Sequence, residues 1–400
     1  MKNVLIVGAG FENKGAQSML FVTVSEIIKH YPNAVIYHAC AENYDESQFR
    51  FIKLFYDNQA MLYALKNSIL LKVKFFIKDC IKFVIGRHNN LWKYNQLKKK
   101  IKSIDLIIDI SGYNIGKKWS IEIQESYLNN IRLAKKYNIP MVIMPQSFGP
   151  FDYPEDKKSV LKDLKELLPY PDKIFARERE GFEFLSKIFK LSNVELSTDL
   201  VLQNKGISLE SIFNKNIIVN VPKLQKKAVG IVPNTQCFRH GNKDKNLEIY
   251  NQIIKKLIEK GKEVYLFRHS FEDLEVCKEI YKNVDHKHVS VLYNDFSCIE
   301  YDEFIKQFDF IVCSRYHGNV HAYRNFVPAI LLGWSVKYTE LAEILGQSQY
   351  VFDITKTDIN TSDIVTAVEK MCDRFMVESN IIKSNLEQIQ NENCFDRVFR

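Results

Sequence analysis

The sequence predicts an α/β protein of two Rossmann-like, doubly wound domains facing a cleft, with a helical insertion in the first. Three observations carry this. The chain has 400 residues, more than one ordinary core can use. Short apolar runs alternate with helix-period segments along most of its length. A polar, weakly periodic stretch at 203–227 divides that rhythm into halves.

The elements follow in order. "NVLIVGAG" reads as the first strand and turn, leading into the helical pattern "GAQSMLFVTVSEIIKHY". "AVIYHA", "DLIIDISG", "MVIMPQS" and "KIFARE" are further strands of the first half. "AVGIVPN", "EVYLFRH", "VSVLYN", "FDFIVCS" and "VPAILLG" repeat the pattern after residue 225. Apolar strands separated by helices imply parallel sheets covered on both faces. The expected domains are therefore 1–205 and 225–375, with a tail at 376–400 whose helical spacing suggests a helix crossing back to the first domain.

An insertion at about 60–103 interrupts the first half. In "SILLKVKFFIKDCIKFVIG" the apolar residues share one helical face and Lys74, Lys78 and Lys82 line another. The pattern fits a helical pair with a solvated lysine face. It also fits a basic amphipathic helix in peripheral contact with an anionic membrane.

Composition excludes several classes. With 46% hydrophobic and 26% charged residues the chain is globular, not disordered. A net charge of +8 suits an acidic small substrate, and no nucleic-acid motif accompanies it. The first residues do not read as a cleaved leader, and no apolar stretch reaches membrane-spanning length. The eight cysteines are scattered without a C-x-x-C pair, so reduced thiols in cytoplasm are expected, with no zinc site.

In open α/β sheets ligands sit at the carboxyl ends of strands, so the residues there are the candidates. After the first strand, "GAGFENKG" misses the G-x-G-x-x-G spacing, because the third position holds Asn13 and Gly15 comes two residues late. Asn13 and Gly15 are left as a helix cap and turn whose N–H groups could hold an anion or a sugar hydroxyl. Ser111 and Gly112 end the "DLIIDI" strand. Gln146 and Ser147 follow "MVIM" and offer neutral hydrogen bonds. Arg177 follows "KIF" and is equally suited to a ligand or to a buried pair with Glu178 or Asp199.

The second half is more pointed. Asn234 ends "GIVPN", Arg268 and His269 end "YLFRH", and Arg315, His317 and Gly318 follow "FDFIVCS", with Lys337 after "LLGWSVK". Four strand ends thus deliver two arginines, two histidines, a lysine and an amide toward one rim. A dianionic ligand needs such fixed cations. The expectation is that Arg315 and His317 share a solvent-reachable pocket with the others.

At these residues the chain resembles the polysaccharide pyruvyl transferase family. The resemblance rests on "NKGAQSML", "PQSFGP", "ARE", "TDL" and above all "SRYHGNVHAYRNFVPAILLGWSVKY" at 314–338. Ser314, Arg315, His317, Gly318, Pro328 and Lys337 match its strongest block. The resemblance implies a GT-B-like fold, phosphoenolpyruvate as donor, and a sugar or lipid-linked oligosaccharide of a surface polysaccharide as acceptor. The product it implies is a cyclic pyruvyl ketal, made with no cofactor beyond the co-substrate. It further implies His317 as acid/base and Arg315 as donor ligand, with Arg268, Lys337, His269, Asn234 and Gly318 on the donor side. Asn13, Gly15, Ser111, Gly112, Gln146 and Ser147 fall on the acceptor side. Two positions depart from the family pattern: Ala16 stands where many members have aspartate, and Ser111-Gly112-Tyr113 where many have a glycine-rich triplet. The competing readings are a GT-B glycosyltransferase using a nucleotide sugar and a non-catalytic sugar-binding component of glycan assembly.

Overall fold

The computed structural model describes residues 2–65 and 91–399. Two parallel sheets carry the chain, one seven-stranded in the order β3-β2-β1-β4-β5-β6-β7 and one six-stranded in the order β10-β9-β8-β11-β12-β13. In the first, β1 is Asn3–Val7, β2 Val35–Cys40, β3 Ile52–Phe55, β4 Leu106–Asp109, β5 Met141–Gln146, β6 Lys173–Ala176 and β7 Val194–Leu196. In the second, β8 is Ala228–Val232, β9 Glu263–Phe267, β10 Val289–Leu292, β11 Phe310–Cys313, β12 Ala329–Leu332 and β13 Val351–Phe352. Every central strand is apolar on both faces, and β4, β8, β11 and β12 are buried throughout. Such strands need helices above and below.

In each sheet the strand order reverses beside its first strand. β1 pairs with β2 on one side and β4 on the other, and β8 pairs with β9 and β11 in the same way. Crevices open at the carboxyl ends of these pairs. The helix ends beside them are capped by sequence-encoded residues. Asn13 accepts hydrogen bonds from the N–H groups of Gly15 and Ala16 and starts the helix Lys14–His30. Ser270 and Asp273 form a capping box at the end of β9.

The halves are not separate globules. One apolar cluster includes Leu20, Phe21 and Leu200 from the first and Phe296, Ile299 and Val320 from the second. A single helix, Thr361–Asn391, passes through residue 375, so the boundary expected there falls inside one element. Beyond it the chain returns to the first domain. The Cys394 N–H donates to Gln203 Oε1 at 2.6 Å, and Arg397 Nη1 meets Glu195 Oε2 at 2.7 Å.

Helices Asn58–Leu65 and Leu91–Ile101 occupy the insertion's two ends. The lysine face at 74, 78 and 82 lies outside the described residues. No helix among the described residues is long and apolar enough to cross a membrane. The cysteines among them are buried and free.

Candidate functional site

The opening helix of the second domain's site is Tyr316–Arg324, directly after β11, with Arg315 at its N-cap. It faces the first residues of the helix Lys14–His30. The contact is intimate at Gly15: a Cβ built there would lie 2.2 Å from His317 Cγ. The ring of one domain therefore rests on the bare backbone of the other, which only glycine permits.

His317 has 17% of its side chain exposed, and its Nε2 lies 3.8 Å from Asp199 Oδ2, too far for a hydrogen bond. That nitrogen is buried without a partner. Burial pushes the imidazole down to about 3; Asp199 opposes the shift, while Arg177, His321 and Lys337 add to it. The ring is neutral at physiological pH and begins any reaction as a proton acceptor.

Asp199 is itself fixed. It caps the helix Leu200–Gln203 through the Val201 N–H and accepts from Arg177 Nη1 at 3.0 Å. Arg177 spends its other nitrogens on Glu178 and on Ser147 Oγ, and its guanidinium lies 4.4 Å over the Tyr316 ring. Of the two roles open to Arg177, the geometry is that of the buried pair. It holds Asp199 beside His317.

Arg315 differs from expectation. Its Nε donates to Asp273 Oδ2 at 2.8 Å, and Nη2 donates to Glu272 Oε1 at 2.7 Å and Asp273 Oδ1 at 2.5 Å. Only Nη1 has no partner among the described residues, and the side chain is 16% exposed. Two acids that the sequence reading left out thus answer its charge. The capping-box spacing of Ser270 and Asp273 was the signal that an acid would stand at this strand end.

The cations with charge to spare are others. Lys337 makes no hydrogen bond or ion pair among the described residues; its ammonium lies 5.2 Å over the Tyr316 ring. Burial and the neighbouring Arg177 push it down to about 8. It lines a cavity of about 210 Å³ together with Arg177, Tyr316, Ser197, Thr198 and Glu340, to which neither Arg315 nor His317 contributes. On the opposite flank, Lys14 and Arg268 share one carboxylate, Asp295, at 3.1 Å and 3.5 Å, and that acid is 64% exposed. Lys14 is the cation the sequence reading missed. It follows the cap residue directly, so its side chain starts at the loop facing the second domain. His269 sits beside them, 2% exposed, with both ring nitrogens unpartnered. Burial pushes it well below the ordinary histidine range.

Several expected ligands have structural duties instead. Asn234 caps the helix Thr235–His240 and donates to the Ser314 carbonyl. A Cβ on Gly318 would lie 2.6 Å from Cys313 Sγ, so this glycine lets the helix pack on β11. Gln146 is 1% exposed and donates to the Tyr127 hydroxyl. Ser147 Oγ is used between Arg177 and Glu178. Gly112 turns the chain at a positive φ of 73° and accepts from the Ser147 N–H. Asn13 turns its side-chain oxygen to its own helix. Ser111 remains at a cavity edge, its hydroxyl buried beside Asp109.

The family model Polysaccharide pyruvyl transferase matches residues 13–336, from the cap of the first helix to the residue before Lys337. The chain belongs to the polysaccharide pyruvyl transferase family. Membership makes it a transferase with a sugar or polysaccharide acceptor. Among solved structures, the chain is similar to a glycosyltransferase from Rickettsia africae at 10% identity, TM-score 0.53, covering 100% of this chain and 96% of that one. It is also similar to a putative UDP-N-acetylglucosamine 2-epimerase from Listeria monocytogenes at 9% identity, TM-score 0.55, covering 100% and 94%. A UDP-GlcNAc 2-epimerase from Methanocaldococcus jannaschii gives 13% identity, TM-score 0.53 and 93% of each chain. At such identities the likeness is one of fold, and the fold is GT-B. No curated relative matches the sequence.

Proposed function

We propose that this pyruvyl transferase family member moves a pyruvyl group from phosphoenolpyruvate to two hydroxyls of a sugar in a surface polysaccharide or its lipid-linked precursor. The product is a cyclic ketal and the leaving group is phosphate. One observation carries the reading: a neutral imidazole, His317, stands at the domain boundary within the influence of Lys337, which has no ion pair among the described residues, and beside the loop of Lys14, which with Arg268 brings two positive charges to the single acid Asp295.

The chemistry follows from those groups. The donor brings a carboxylate and a phosphate, and Lys337, Lys14, Arg268 and the free Nη1 of Arg315 can each give a charge-assisted hydrogen bond of about 1.5–3 kcal/mol. The first sugar hydroxyl adds to the donor's C2 as its proton passes to His317, and the imidazolium so formed delivers that proton to the methylene carbon, which becomes a methyl group and leaves His317 neutral again. The second hydroxyl then attacks C2, the C–O bond to phosphate breaks, and its proton leaves with phosphate. The dianion itself offsets the cations that depress His317, so donor binding readies the imidazole to hold a proton. The proposed steps use no resident cofactor or metal.

The test is phosphate release from phosphoenolpyruvate in the presence of cell-derived glycans, wild type beside His317→Ala, with nucleotide sugars as the alternative donors. Wild type should release phosphate only with glycan present, and the variant should fall by about 10²–10⁴. Release unchanged in the variant, or binding of a nucleotide sugar in place of phosphoenolpyruvate, would overturn the reading.

A further inference from the structure

The carboxyl ends of β1, β2 and β4 open a cavity of about 730 Å³ in the first domain, within the roughly 300–1,000 Å³ of small-molecule pockets. It is not where the sequence placed the acceptor contacts: of those, Ser111 alone lines it. Its wall has one chemical bias. Three carboxylates, Glu12, Glu42 and Glu122, line it with amides and hydroxyls such as Asn58, Asn114 and Ser126, and no lysine, arginine or histidine among the described residues does.

The floor continues that bias. Asp109, fully buried, accepts from the Ser111 N–H at 2.9 Å and from Asn130 Nδ2 at 3.3 Å, so both lining residues hang on an acid beneath them. Ser111 Oγ is buried at the cavity's edge and interacts with the same acid. No group of His, Cys, Asp or Glu among the described residues is arranged to hold a metal ion, so the carboxylates do not form a cation cage. What they offer is a row of hydrogen-bond acceptors with neutral donors between them. Vicinal hydroxyls of a sugar fit such a wall; a second negative charge is repelled by it. The cavity also adjoins the reacting residues. Glu12 is at its rim and Gly15, against His317, follows three residues later, a span of at most about 11 Å.

We propose that this cavity takes the acceptor, and that the sugar unit bound there carries no negative charge: a neutral or amino-bearing pyranoside, not a uronate or a glycosyl phosphate. The name acceptor rests on the pyruvyl-transfer reading; the binding and its selectivity do not.

The experiment is saturation-transfer NMR on the full chain without donor, using methyl glycosides of a neutral hexose, an N-acetylhexosamine and a hexuronate. The two neutral glycosides should show transfer, with the uronate bound at least tenfold more weakly. Ser126→Phe, which fills the cavity, should abolish the signal. Glu122→Lys, on an exposed side chain that leaves packing untouched, should narrow the uronate's disadvantage. Equal binding of the uronate by wild type, no binding of any glycoside, or an unaltered signal in both variants overturns the proposal. The two readings fail separately. Selective glycoside binding with no turnover of phosphoenolpyruvate sinks the reaction and keeps the pocket. Turnover that accepts uronates as readily as neutral sugars sinks the pocket and keeps the reaction.

Discussion

Lys337 and Arg315 show how far a residue's role can be read before its neighbours are known. Both were legible as cations at strand ends, because each follows an apolar run at a spacing that leaves the sheet. Their partners were not legible. Asp273 and Glu272 reach Arg315 from the helical turn after β9, 42 and 43 residues earlier in the chain, a distance that no periodicity encodes. Lys337 has no such acid, and that difference gives a pH prediction. An ammonium pushed down to about 8 is largely charged below that pH and largely neutral above it. If it anchors an anionic donor, the donor KM should rise as pH climbs past 8, by about tenfold per unit while one proton is taken up on binding. Lys337→Arg, whose charge does not titrate there, should flatten the rise. A donor KM equally flat in wild type and variant would remove Lys337 from the site.

The elements were more legible than the contacts between them. Apolar runs located the inner strands of both sheets and missed the short edge strands β3, β7 and β13, and Asn13, placed by its type and position, does cap the helix that follows. The glycine loop was harder. Gly15 reads as a misplaced member of a dinucleotide fingerprint, whereas its duty is to let a helix from the other domain press an imidazole onto its backbone. A pattern within one element cannot announce a contact made by two. Gly15→Ala should therefore act through His317, not through its own helix, where alanine is the better residue. Displacing a reacting group by about 1 Å can lower turnover 10²-fold, so we expect a loss of that order, together with a lower melting temperature because the added methyl overlaps the His317 ring where the two domains meet. Full activity in Gly15→Ala would mean that the two domains do not meet there during the reaction.

At the scale of the molecule, two halves were evident from the rhythm of the chain. The spacing of the last residues suggested a helix crossing back to the first domain, but not the contacts that hold it there. In the structure the helix Thr361–Asn391 carries the chain back, and Phe395, fully buried, anchors the end in the apolar cluster that the two domains share. Phe395→Ala should lower the unfolding free energy by about 3–5 kcal/mol, measured by denaturant titration, and small-angle scattering should show a more extended particle. A compact variant of unchanged stability would show that the returning segment is dispensable. The seating of His317 on Gly15 has a last consequence for the proposed donor. Enolpyruvate that meets the imidazole while the halves stand apart lacks half of its surroundings, so protonation is confined to moments when both substrates are enclosed. Spillage of the donor to free pyruvate should accordingly be negligible in wild type without a glycan, and should become detectable once Gly15→Ala holds the two halves ajar.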